Sequence, residues 1–293
     1  MIKFPEDQYV EVNGLKIRYW QVGERGEKLL LVHGIGGCVE YWHKNVFELG
    51  KKYQVIVVDL PGFGKSDKPK ADYTLDYYSD FLAAFCKAKA WQDIILLGHS
   101  LGGGVSLRFA IKHRPLLKKL VLIDAVGFSR QVIIFFRLMA LPVIGRLFLK
   151  LSKKMFAIAF RSNVYDASAI SNDLIDVVYP LTQDPKTIDT MRRIVKRNTN
   201  LLGIKHSMLK LIWDHLAELE DLPTLVFWGM QDRLLLTKRH VPEVKAKLPS
   251  AQLHLLDKCG HIPYTEHPKE FREVLTGFVD LGSTKGYTKC NIM

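Results

Sequence analysis

Cysteine is scarce in this 293-residue chain, with only Cys38, Cys86, Cys259 and Cys290. No C-x-x-C pair and no paired framework is present, which argues against a disulfide scaffold or a zinc site and leads us to expect free thiols. Met1 to Val10 lacks the apolar stretch of a secretory signal, so a cytoplasmic protein is expected. Long apolar runs are missing too. Between Gln131 and Leu149 the stretch is broken by Arg137, Pro142 and Arg146, short of the roughly 18 residues a membrane span needs. A lid helix, a turn at Pro142 and a second helix are expected there instead. There are no repeats, no low-complexity segment and no nucleic-acid module, so a nucleic-acid partner is not expected. Cys290 to Met293 fits a prenylation box only superficially, because Asn291 is not aliphatic and no polybasic run precedes it.

Cofactor motifs are absent on closer reading. Gly34-Ile35-Gly36-Gly37-Cys38-Val39 follows a strand as a dinucleotide loop would, but Val39 replaces the third glycine. Gly64-Lys65-Ser66 resembles a phosphate loop, yet Asp59 stands where its first glycine belongs. No cofactor and no metal are expected. Acid is the scarcer charge. Lys and Arg number 42 against 30 Asp and Glu, a net +12. Between Phe128 and His215 there are 14 Lys or Arg against 6 Asp, so +8 of that excess falls in under a third of the chain. A solvated basic face accounts for this, or peripheral attraction to an anionic membrane surface, which basic residues interleaved with large apolar ones suit.

What is present is an alternation of strands and helices. Tyr9 to Tyr19 alternates around Asn13-Gly14, a hairpin signal. Short apolar runs follow at Leu29 to Val32, Val55 to Val58, Ile94 to Leu97, Leu120 to Ile123, Thr224 to Trp228 and Gln252 to Leu256, each continuous enough for a strand buried on both faces. Helical stretches at Leu75 to Lys89, Leu101 to His113 and Pro268 to Phe278 separate or follow them. The expected fold is α/β: a mostly parallel, doubly wound sheet with an N-terminal antiparallel hairpin. The alternation stops for about a hundred residues after Ile123. We expect residues 1–127 and 216–282 to form the core, 128–215 an inserted helical cap, and 283–293 a loose tail.

The chemistry centres on Gly98-His99-Ser100-Leu101-Gly102. Here a serine stands between two glycines, after a strand and before a helix, an arrangement that holds a hydroxyl exposed on a sharp turn. A serine hydroxyl needs a neighbouring base, and the base a third group to fix its tautomer. His261 lies in the loop after the last strand, and Asp232 in the loop after Thr224 to Trp228. All three fall at the carboxyl edge of the sheet, where open α/β folds gather their sites. Asp124, at the end of the preceding strand, is an alternative acid.

At this point the chain resembles the α/β-hydrolase superfamily, through His33-Gly34-Ile35-Gly36-Gly37, Asp59 to Ser66, Gly98 to Gly103, Gly229 to Asp232 and Cys259-Gly260-His261. The resemblance implies Ser100 as nucleophile, Asp232 as acid, His261 as base, and the backbone N–H groups of Ile35 and Leu101 as oxyanion donors. Family epoxide hydrolases and haloalkane dehalogenases carry aspartate in place of Ser100, and carbon-carbon bond hydrolases tend to have Trp and Asn where this chain has Ile262 and His99. A serine esterase of the monoacylglycerol-lipase-like kind, acting on small-molecule esters with apolar acyl groups, is therefore expected. Lactonase or amidase activity, or a receptor with very slow turnover, are the alternatives. Trp42, His99, Phe135, Phe136 and Met139 are candidate substrate contacts.

Overall fold

The computed structural model describes residues 2–141 and 151–281. The expected turn at Pro142 with its second helix, the tail and Cys290 lie outside the described residues. An eight-stranded sheet comprises β1 (Gln8–Val12), β2 (Leu15–Val22), β3 (Lys28–Val32), β4 (Gln54–Val58), β5 (Ile94–His99), β6 (Leu117–Ile123), β9 (Thr224–Gly229) and β10 (Gln252–Leu256), in the order β1-β2-β4-β3-β5-β6-β9-β10. The β1–β2 hairpin turns at Asn13 and Gly14, whose φ values of 53° and 76° are those a two-residue turn demands. β2 is also antiparallel to β4, and every pairing beyond is parallel.

Because successive side chains point to opposite faces, an apolar run such as Leu29 to Val32 feeds two cores at once. Leu30, Ile56 and Leu96 pack with α2 (Leu75–Ala88) and α3 (Leu101–Lys112). Leu29, Leu31, Val57 and Leu97 pack with Trp42, α1 (Val46–Gly50) and the last helix, Pro268–Leu281. β6 begins three residues earlier than its apolar run, at Leu117, although Lys118 and Lys119 follow. Lys119 is buried there because its ammonium donates to the carbonyls of Phe278 and Val279, each at 2.7 Å, where the last helix ends.

Between β6 and β9 no strand among the described residues joins the main sheet. The described chain there forms α4 (Ile134–Met139), α5 (Lys153–Arg161), α6 (Asn172–Thr182), α7 (Pro185–Asn198), a two-stranded ribbon of β7 (Thr199–Asn200) and β8 (Gly203–Ile204), and α8 (His206–Trp213). Ser152, Ser171 and Asp184 cap α5, α6 and α7, each accepting from a backbone N–H of the first turn. α7 buries Met191, Ile194 and Val195 and exposes Lys196 and Arg197. Among the described residues no helix is long and apolar enough to cross a membrane.

A buried ionic cluster ties the loops at the carboxyl edge together. Arg18 Nε donates to Asp59 at 2.6 Å while its two terminal nitrogens grip Glu40, each at 2.8 Å. Asp59 also accepts from the N–H groups of Val39 and Lys65, so the segment from Asp59 to Ser66 is an anchor for the loop after β3.

Candidate active site

Ser100 occupies the single residue between β5 and α3, at φ 54° and ψ −115°, a backbone state costly for any residue but glycine. Its neighbours make the turn sterically possible. A Cβ on Gly98 would lie 2.3 Å from the Gly102 carbonyl oxygen, and one on Gly102 would lie 2.6 Å from that of His33. A serine in this N-cap position ordinarily accepts a hydrogen bond from the helix it starts. Ser100 does not, which leaves its hydroxyl to the cavity above.

His261 and Asp232 are joined by a 2.7 Å hydrogen bond from Nδ1 to Oδ2. The other oxygen of Asp232 accepts from the N–H groups of Leu234 and Leu235, which fixes the carboxylate. With Nδ1 committed as donor, Nε2 is left as the proton acceptor on the cavity side. Ser100 and His261 line the same cavity. Among the described residues no hydrogen bond joins the two side chains.

Asp124 is fully buried and close by, but it does not bond the imidazole. Its Oδ1 accepts from Gly229 N–H at 3.0 Å, and its Oδ2 is sealed from water without a partner. Burial, and then the adjacent Asp232 carboxylate, hold its pKa well above the usual range. Oxygen or nitrogen atoms of Asp124, Asp232 and His261 lie within 4.8 Å of one another, but a cation there would have to displace the hydrogen bond between His261 and Asp232.

The cavity above Ser100 measures about 170 Å³. Ile35 and Leu101 line it beside the serine, and Leu101, as the first residue of α3, has an N–H without an intrahelical partner. His99 and Phe136 line it as well. His99 Nε2 donates to the His261 carbonyl at 2.7 Å, so its Nδ1 is the acceptor for the Tyr264 hydroxyl at 3.2 Å. Burial, and then the neighbouring His261 ring, push its pKa well below the usual value. His99 is thus a neutral prop for the His261 backbone as well as a wall.

Three expected substrate contacts lie elsewhere. Trp42 is fully buried and stacks on Tyr264 at 4.0 Å, so it is a core residue, and its neighbour Tyr41 faces the cavity instead. Met139 is buried in the core that α3 shares, and Phe135 packs edge-on against Phe136 at 5.7 Å, outside the lining; the helical turn gives Phe136 the inward position. Sequence reasoning missed Asn163 and Glu266. The Asn163 carbonyl accepts from His261 N–H at 2.7 Å, and Glu266 accepts from Gly260, Ile262 and Tyr165 N–H groups, clamping the histidine loop against the helical segment. Neither residue type in its local context signals such a role. Cys38, Cys86 and Cys259 are unpaired and buried, and burial pushes the Cys86 thiol up to about 12.

A family model described as the alpha/beta hydrolase fold matches residues 28–268. Lipase 3 of Moraxella sp. strain TA144 is 29% identical over 260 residues, 87% of this chain and 78% of its own length. The 2-hydroxy-6-oxo-6-(2'-aminophenyl)hexa-2,4-dienoic acid hydrolase of Metapseudomonas resinovorans is 25% identical over 281 residues, 93% of this chain and 90% of its own. A solved serine hydrolase involved in carbazole degradation matches with a TM-score of 0.77 at 23% identity, covering 94% of this chain and 99% of that one, a likeness of fold.

Proposed function

The chain belongs to the alpha/beta-hydrolase fold family, and from that premise we propose that Ser100, His261 and Asp232 are the nucleophile, base and orienting acid of an enzyme that cleaves carboxylic esters. The observation that carries this reading is the 2.7 Å bond from His261 to Asp232 beside a strained serine whose hydroxyl serves no cap. Ser100 Oγ attacks the ester carbonyl as its proton passes to His261 Nε2. The developing oxyanion is held by the backbone N–H groups of Ile35 and Leu101. His261 returns the proton to the departing alcohol, and water, activated by the same imidazole, then releases the acid from the acyl-enzyme.

Substrate class follows from the walls. Eleven of the twenty-one described lining residues come from the segment between β6 and β9, which we assign as a cap over the serine. Val132, Phe136, Phe160, Ile194, Val195 and Met208 among them are apolar, and no described lining residue is Lys, Arg, Asp or Glu. A charged acyl group would lose its hydration there without a partner, whereas an apolar chain gains by entering. This favours an apolar ester over a substrate like the dienoic acid in the Metapseudomonas enzyme's name.

A fluorophosphonate should label Ser100 stoichiometrically, and an ester panel should show kcat/KM for octanoyl about tenfold or more above acetyl. Peptide mass spectrometry locates the label. Labelling confined to Cys38 or Cys259, whose thiols burial holds well above their ordinary pKa, would overturn the serine mechanism, and a preference for acetyl would overturn the apolar acyl pocket.

A further inference from the structure

The β7–β8 ribbon carries an anomaly at its tip. Thr199 pairs with Ile204 and Asn200 with Gly203, so Leu201 and Leu202 form the two-residue turn, 55% and 69% exposed. Such turns are normally built from Gly, Asn, Asp, Pro or Ser. The turn does not need the leucine side chains, since Asn200 Oδ1 already accepts from Leu202 N–H at 2.9 Å. α4 packs against the ribbon, and its first residue, Ile134, is 64% exposed.

Cations surround this tip. Lys196 and Arg197 lie exposed at the end of α7, just before the ribbon, and Lys205 follows it directly. With Arg192 and Arg193 these line one surface depression in which Asp72 is the sole acid among the described residues. Asp189 neutralises part of the Arg192 and Arg193 charge, but among the described residues no ion pair engages Lys196, Arg197 or Lys205. At the other end of the ribbon, Thr199 and Ile204 form part of the cavity wall above Ser100.

We propose that this ribbon is a membrane-docking tip, Leu201 and Leu202 entering the acyl region of an anionic bilayer while Lys196, Arg197 and Lys205 engage its headgroups. The purpose of the device rests on the ester-hydrolase reading, because docking sets the cavity wall against the surface that holds apolar esters. A bilayer fits better than a protein partner. A turn of two exposed leucines cannot supply the roughly 800 Å² per partner of a stable protein interface, whereas a bilayer accepts a small apolar wedge flanked by positive charge.

The test is co-sedimentation of the full chain with phosphatidylcholine vesicles, with and without about one-third phosphatidylglycerol, at low salt. Wild type should prefer the anionic vesicles. Leu201→Ser/Leu202→Ser and Lys196→Glu/Arg197→Glu should each weaken that binding about tenfold or more while kcat/KM on a soluble short ester stays at the wild-type value. Equal, negligible binding to both vesicles overturns the proposal. So does wild-type binding by the double serine variant, or retention on an acidic polypeptide without vesicle binding, which would assign the patch to an acidic protein. Soluble-ester turnover without vesicle binding removes only the docking tip, and vesicle binding without turnover removes only the ester reading.

Discussion

Asp124 and Asp232 end neighbouring strands, and either could orient a histidine by position alone. Their hydrogen bonds separate them: Asp232 holds the imidazole, whereas Asp124 holds the Gly229 N–H, and burial, with the Asp232 carboxylate beside it, holds its pKa well above the usual range. Asp232→Asn should lower kcat about 10³- to 10⁴-fold, because the amide imposes the wrong imidazole tautomer. Asp124→Asn retains an acceptor for the Gly229 N–H and touches no atom of the imidazole, so activity should stay within about threefold of wild type. Steady-state kinetics on a short ester decide this. Near-normal Asp232→Asn with inactive Asp124→Asn would reverse the assignment.

At the scale of elements, the loops after β3 and β4 depend on one buried guanidinium. Arg18 on β2 reaches Asp59 after β4 and Glu40 after β3, with no exposure of its own. Arg18→Ala leaves two carboxylates facing each other in a dry site, and the loss should be about 3–5 kcal/mol. Urea unfolding measures it, and a cost near zero would show that the cluster does not organise these loops. The same dependence explains why Asp59 to Ser66 is conspicuous in the sequence although none of its residues is among the described lining of the cavity above Ser100: a Cβ on Gly64 would fall inside the Asp59 carboxylate.

For the molecule as a whole, buried neutral histidines set the acid limit of stability. His33 donates Nδ1–H to the Gly34 carbonyl at 2.7 Å and accepts the Leu60 N–H at Nε2, so a second proton would break the latter bond. Burial lowers its pKa from 6.5 to about 4. Between those values the unfolded chain binds more protons than the folded one, so stability is complete above pH 6.5 and falls as pH drops towards 4, with about 3 kcal/mol from His33 alone. Urea midpoints taken down this range should decline in the wild type and decline less in His33→Gln. A flat wild-type profile would refute this account.

Much of this was legible in the chain itself. Continuous apolar runs can satisfy only strands buried on both faces, Asn13-Gly14 can take the backbone angles of a tight turn, and glycines at 98 and 102 leave the room a serine elbow needs; these are local properties, set by each residue and its near neighbours. Ser100, Asp232 and His261 could be named because each follows a recognisable strand. What only the tertiary structure decided were contacts between segments far apart in sequence: that Asp232 rather than Asp124 meets the histidine, that Phe136 and Tyr41 face the cavity while Phe135 and Trp42 do not, and that Asn163 and Glu266 clamp the loop of His261. Periodicity tells which way a side chain points along its own element, but not which distant backbone will be waiting there, because that depends on how helices and strands dock after they form.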